Sequence, residues 1–331
     1  MDIPQAKPSM ENTILLYLQR LFGNSRMLSS MKNGLYKFNF SQAALTLGLI
    51  WLSSCGGSGP KEQAAGLDTN AVAQKSEVLN AVDSLLRIMP KPSAVPNIIA
   101  RTGAEYNPAY LCDMKTVQKV EGNASATAFC LGVFGADIAY MAAYEKGKDA
   151  LSRFISGKKM ADRIGISGAF DVHLMERLET NLSNRDSLIE LTDSYIQKSS
   201  EILKSGDQTK DAALISAGAV IEGLYLTTSL IRDYPATGLP KEQQDQILIP
   251  LYKTLFDQEP SINSLISLFE KIEGDTETQK LQGLLNELAG VYREGKWNER
   301  IASGKGQITP DMFEISKLDA AIVKLRSSMV P

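Results

Sequence analysis

The chain has 331 residues, 44% of them hydrophobic and 22% charged, which is the composition of a globular protein and not of a disordered or fibrous one. Its net charge is −3 and it carries no basic stripe, so nucleic acid is not expected among its partners. A single histidine, His173, and three cysteines without a CxxC pair exclude a His-rich zinc or iron site and argue against a structural zinc. No P-loop, GxSxG or HExxH motif occurs, and neither a metal nor a cofactor is expected.

Residues 1–30 fit poorly ahead of the segment that follows, so Met31 is expected to be the true start and residues 1–30 an over-extended reading. The alternative is an amphipathic helix over residues 14–22. Residues 31–54 have the form of a signal peptide. Lys32 and Lys37 give a basic region, and residues 43–52 an apolar run of ten. As a helix that run is too short for about 30 Å of hydrocarbon. It ends in Leu52-Ser53-Ser54-Cys55, which resembles a bacterial lipobox: a bulky apolar residue, two small ones, then the cysteine that receives lipid. Small residues there let the peptidase approach the backbone. Acyl chains on Cys55 would hold the protein at a membrane, each buried CH₂ contributing about 0.8 kcal/mol.

Residues 55–70 read as a flexible tether opening with Gly56, Gly57, Ser58, Gly59 and Pro60. The glycine-rich residues 56–61 follow no strand and open no apolar helix, so they are linker and not a phosphate loop. Gly56 is not the aspartate that marks inner-membrane retention, and no acidic run follows Cys55. An outer-membrane anchor with the domain facing the periplasm is the expectation.

Residues 71–331 are expected to form one all-α domain, a bundle of about ten helices. Val78, Val82, Leu85, Leu86 and Met89 keep helical spacing up to Pro90. Pro92, Pro96 and Pro108 punctuate a loop-rich connection to Asp113. Residues 124–144 and 212–231 are apolar helices with one charge each, Asp137 and Glu222. Both are long enough to span a membrane. Their Ala, Gly, Ser and Thr content and central acids favour a closely packed central pair inside the bundle. Next come a helix over residues 170–182, with His173 in its first turn at the surface, and one carrying Leu188, Leu191, Tyr195 and Ile202. After Pro240 the helical stripes are Leu251, Leu255 and Phe256, then Ile262, Ile266 and Phe269, then Leu281, Leu284, Leu285 and Leu288. Residues 311–330 close the chain through Ile315, Leu318, Ile322 and Leu325.

Asp137 and Glu222 are the sharpest functional candidates. Each is followed at +3 by a tyrosine, Tyr140 and Tyr225, on the same helix face, and the parallel raises the idea of an old duplication. A carboxylate in an apolar helix must be neutralised, paired or liganded. Paired, each acid fixes helix register, with Tyr106, Arg101 and Lys148 as candidate partners. Liganded, the two hold a cation or act as an acid/base pair. Tyr106, Tyr110, Tyr140, Tyr144 and Tyr225 belong to the core or line a carbohydrate- or peptide-binding groove. Asn123-Ala124-Ser125 matches a glycosylation sequon and is set aside for a bacterial chain. Cys112 and Cys130 are candidates for a disulfide, since an exported domain meets oxidising conditions.

TGAEYNPAYL at residues 102–111, LGVFGADIAYMAAYEK at 131–146, FDVHLMERLETNLSNRDSL at 170–188 and IEGLYLTTSLI at 221–231 resemble a family of uncharacterised helical lipoproteins of Bacteroidetes-type bacteria. The resemblance covers roughly residues 75–240 and the lipobox. It implies an envelope location and brings no activity or catalytic residues with it. The expected function is a lipid-anchored envelope module that binds or scaffolds a partner protein. The rivals are an envelope enzyme or ion-binding protein using Asp137 and Glu222, and an integral membrane subunit.

Overall fold

The computed structural model describes residues 105–166, 172–181, 183–205, 208–234, 240–303 and 314–331, with Glu77, Asn80 and Ile98. The signal segment, Cys55 and the tether lie outside the described residues. So does most of the helix expected over residues 78–89, of which Asn80 is described and helical, as is the preceding Glu77. The described residues belong to one unit, Ala65–Pro331. Among them every regular element is helical and no strand occurs.

A 3₁₀ turn, Pro108–Tyr110, leads into the short helix α1, Thr116–Lys119. Then follow α2 (Ala124–Ala143), α3 (Gly147–Arg163), α4 (Val172–Thr180), α5 (Arg185–Ser205) and α6 (Thr209–Asp233). The remainder is α7 (Lys241–Phe256), α8 (Glu259–Phe269), α9 (Thr276–Gly295), α10 (Trp297–Ser303) and α11 (Ser316–Met329). The all-α bundle is therefore as the sequence leads one to expect. Helix α3 is an addition, hidden because its buried stripe of Ala150, Arg153, Phe154, Gly157, Met160 and Ala161 is half small and carries an arginine. Helix α11 starts at Ser316, five residues later than expected, with Ile315 as its N-cap.

Helices α2 and α6 form the central pair and pack against each other more extensively than any other two elements. Small residues make this contact. A Cβ on Gly132 would lie 1.9 Å from the carbonyl oxygen of Ile215, and one on Gly218 would lie 2.0 Å from that of Phe129. Each helix thus presents a glycine to the other's backbone, and no side chain separates them there. Both helices are long and apolar enough to cross a membrane, yet 94% and 83% of their apolar windows are buried inside the bundle. Around the pair, α3 packs on α2, α5 on both, and α11 on α6 and α9, while α8 packs on α9. The expected inward residues Leu251, Leu255, Phe256, Ile262, Phe269, Leu281, Leu285, Leu288, Leu318, Ile322 and Leu325 are buried. Ile266 and Leu284 are only partly so.

Helix ends are satisfied locally. Asn123, the sequon residue, caps α2 by accepting from the Ala126 amide at 2.9 Å. At the other end of α2, Glu145 takes φ +59° so that Lys146 N–H can reach Met141 C=O at 2.9 Å. That left-handed closing residue is usually glycine.

The N-termini of α2, α6 and α9 are tied together by one carboxylate, Asp275, the N-cap of α9. Its Oδ1 accepts from Thr278 N–H at 3.0 Å, and its Oδ2 accepts from Ser125 Oγ at 2.5 Å and Lys210 Nζ at 3.2 Å. The Ser125 bond, then the Thr278 and Lys210 contacts, outweigh burial and hold its carboxyl below the ordinary range. A negative charge there also complements the helix dipoles.

Gly132→Ala or Gly218→Ala should cost about 3 kcal/mol or more in urea melts, because the new methyl meets backbone and not a movable side chain. Gly223→Ala, where nothing lies within 4 Å of the added Cβ, should be neutral or stabilise by up to about 1 kcal/mol. Asp275→Ala should cost about 1–2 kcal/mol at neutral pH. A depressed folded pKa contributes stability above the unfolded value of about 4 and loses it as pH falls below. The gap between Asp275→Ala and the parent should therefore narrow on acidification in melts run across that range.

Candidate functional site

Asp137 sits in the second turn from the end of α2 and Glu222 at the middle of α6, and both are fully buried. The close approach of the two helices brings the acids within each other's field. Neither is left alone. Asp137 Oδ2 accepts from Arg153 Nη1 of α3 at 2.7 Å and from the Cys112 amide at 3.1 Å. Glu222 is held bidentately by Arg326 of α11, Nε to Oε2 at 2.6 Å and Nη2 to Oε1 at 2.7 Å. The fork geometry of a guanidinium matches a carboxylate in this way.

Both guanidiniums are themselves embedded. Arg153 is 5% exposed and its Cζ lies 4.7 Å from the Phe134 ring centroid. Arg326 lies 3.9 Å over the Tyr225 ring, and its Nη2 also donates to Tyr110 C=O at 3.3 Å. Burial lowers the Arg326 pKa, but the hydrogen bonds and charge of Glu222 outweigh it and keep it above the usual arginine value. Burial and then the charge of Glu222 push the Asp137 carboxyl upward, against the pull of Arg153, Arg326 and the Cys112 amide. Asp137 Oδ1 is buried and accepts no hydrogen bond from the described residues.

These partners differ from those the sequence offered. Tyr106 and Lys148 do not hold the acids, and Arg101 lies outside the described residues. The +3 tyrosines do not bond to the acids either. Tyr140 Oη accepts from the Asn107 amide at 3.1 Å, and Tyr225 serves as the platform for Arg326. The reason is reach. A phenol one turn along the same helix points past the carboxylate, whereas an arginine from a neighbouring helix approaches it end-on. Arg153 went unrecognised with its helix. Arg326 lies four residues after Ile322 and three before Met329, both buried, and that spacing on a core face was its one sequence signal.

The tyrosines spend their faces on one another. Tyr106 stacks on Tyr140 with centroids 5.4 Å apart, and Tyr144 meets Tyr140 edge-on at 5.0 Å. Lys146 covers Tyr106 at 5.3 Å. Tyr140 is buried in the core, and Tyr106 and Tyr144 pack against it partly buried. His173 is at the surface, its side chain 89% exposed and 3.7 Å from Glu176. The expected disulfide is not formed: Cys112 and Cys130 are buried free thiols. Cys112 Sγ is turned toward Thr116 Oγ1 at 3.4 Å. Among the described residues no group of three His, Cys, Asp or Glu is placed to hold a metal ion.

Chemically, the set is two carboxylates matched by two guanidiniums. Both oxygens of Glu222 are occupied, and Asp137 is engaged by a cation that cannot give up its charge. Such an arrangement fixes the register of α3 and α11 on the central pair. The guanidiniums compete with any base or cation role for either acid. Comparison of the chain with family models, with curated proteins and with solved structures gives no match, so the lipoprotein resemblance rests on its sequence phrases alone.

Removing one member of a buried pair leaves the other uncompensated and costs about 3–5 kcal/mol. Glu222→Met and Arg326→Met should each do so, while the double variant, with both charges gone, should be more stable than either single one. Urea melts of the three variants beside the parent check this. A double variant no better than the singles would show that the two residues are not each other's reason for being charged.

Proposed function

We propose that the protein is a lipid-anchored module of the cell envelope, held in the outer membrane through Cys55 and facing the periplasm, where its helical domain binds or scaffolds a partner protein. The observation that carries the non-enzymatic part is the pairing of both interior carboxylates with arginines. With both acids held by arginines, the reading gives recognition to the surface. The envelope part is supported by the sequence: a basic region, an apolar run of ten, Leu52-Ser53-Ser54-Cys55, and a glycine-rich tether. The enzyme and ion-binding alternatives need one of the two acids to be available, and the arginine contacts oppose that.

In cells, metabolic palmitate labelling should mark the parent chain, and Cys55→Ala should abolish the label and release the protein from the membrane fraction or stall its export. Persistent labelling of Cys55→Ala would contradict the anchor. For the role of the acids, Asp137→Asn and Glu222→Gln should lower the melting temperature, with any envelope phenotype tracking protein abundance. A variant at least as stable as the parent yet inactive at equal abundance would overturn the scaffold reading.

A further inference from the structure

Residues 107–112 lie across the central helices as a strap, and side chains of the buried set hold three of its main-chain groups. Asn107 N–H donates to Tyr140 Oη, Tyr110 C=O accepts from Arg326, and Cys112 N–H donates to Asp137. Further on, Thr127 Oγ1 donates to Val120 C=O at 3.1 Å. The chain from Cys112 to Val120 therefore runs back along α2, from the level of Asp137 to that of Thr127. Cys130 lies between those two levels, and residues 127, 130, 134 and 137 share one face of the helix. The Cys112 sulfur points along this path, toward Thr116 Oγ1.

With the strap down, both thiols are shut in, Cys112 at 2% and Cys130 at 0% exposure. Burial, then the charge of Asp137, pushes the Cys112 thiol up to about 12, and burial followed by Cys112 pushes Cys130 up as well. Neither is a thiolate in the closed fold, and the thiolate is the species that exchanges. The strap carries no α-helix of its own, so lifting it breaks its main-chain ties and exposes Tyr110 without unwinding α2. Openings of this kind occur below the global unfolding free energy.

We propose that Cys112 and Cys130 form a strap-gated dithiol: lifting residues 107–112 brings the Cys112 sulfur into water, where it exchanges with a disulfide oxidant and passes the oxidation to Cys130. Cys112 loses its proton and its thiolate attacks the oxidant's disulfide, so that a mixed disulfide forms and one oxidant thiol leaves. Cys130 loses its proton and attacks the Cys112 sulfur, closing the internal disulfide and releasing the second oxidant thiol. Two protein thiols are oxidised and one oxidant disulfide is reduced. Only the natural source of the oxidant rests on the envelope reading.

The test uses the full chain in its reduced form with Cys55→Ser, incubated with the aromatic disulfide dithiobis-nitrobenzoate. The expected result is release of two equivalents of the coloured thiol per chain, loss of two hydrogens by mass and no bound reagent. The rate should depend weakly on urea below the unfolding transition. Cys130→Ser should release one equivalent and retain the reagent on Cys112, and Cys112→Ser should release none. Asp137→Asn, or Thr116→Val if the first variant does not fold, should speed release about tenfold or more by loosening the strap or the Cys112 sulfur. Release only at urea concentrations that melt the helical signal would overturn the gate. So would reaction of Cys130 in the Cys112→Ser variant, or an unchanged rate in the folded Asp137 or Thr116 variant. Exchange as expected here, with the parent chain left unlabelled by palmitate in cells, keeps the gate and removes the envelope reading.

Discussion

Two helices that touch backbone to backbone leave no room for side chains between them. At the α2–α6 contact, Gly132 and Gly218 each face the other helix's carbonyl, and larger residues are excluded by about the length of a bond. The consequences run outward. Both helices are almost wholly buried along their centres, so the acids they carry there, Asp137 and Glu222, are buried too. Asp137 lies close enough to Glu222 for that charge to raise the cost of its own. That cost is met by arginines that cannot come from the crowded pair itself, and so arrive from α3 and α11. The placement of two outer helices is thereby bound to two interior charges.

Hydrophobic burial alone would let α3 and α11 slide by a turn at modest cost, since Leu318, Ile322, Leu325 and Met329 present a repeating stripe. A bidentate pair such as Arg326–Glu222 does not tolerate a one-turn shift of about 5.4 Å. Polar ties from other elements reinforce the same register: Arg232 grips Asp319 through both carboxylate oxygens at 3.0 Å, and Lys280 donates to Ser328 C=O. Those pairs are partly exposed and contribute little individually. The buried pairs add specificity where a packed apolar core would match them in stability.

The fold class, the central pair and the burial of its acids were legible because apolar periodicity and small-residue content are local properties of a stretch of sequence. The surface placement of His173 was legible for the same reason. The partners of the acids were not. Arg153 lies sixteen residues from Asp137 and Arg326 lies 104 from Glu222. Nothing in single-sequence periodicity encodes which distant arginine turns inward. Helix α3 stayed hidden because a buried stripe built from Ala, Gly and Arg lacks the hydrophobic contrast that marks α9. The candidate disulfide followed from compartment and from the order of loop and helix, and had no access to the direction of the Cys112 side chain, which points toward Thr116. The anchor at Cys55 remains a reading of sequence pattern, and its strength lies in four adjacent features agreeing.

If the backbone contact of α2 and α6 is the element on which the rest depends, its amides should be the last to open. Native-state hydrogen exchange followed by mass spectrometry or NMR measures this directly. The account predicts that amides flanking Gly132, Asp137, Gly218 and Glu222 exchange only through global unfolding, with the full denaturant dependence of the domain, while those of α3 and α11 exchange at or below that limit. Slower exchange in α8 or α9 than in the centre of α2 and α6 would contradict it and move the organising core elsewhere.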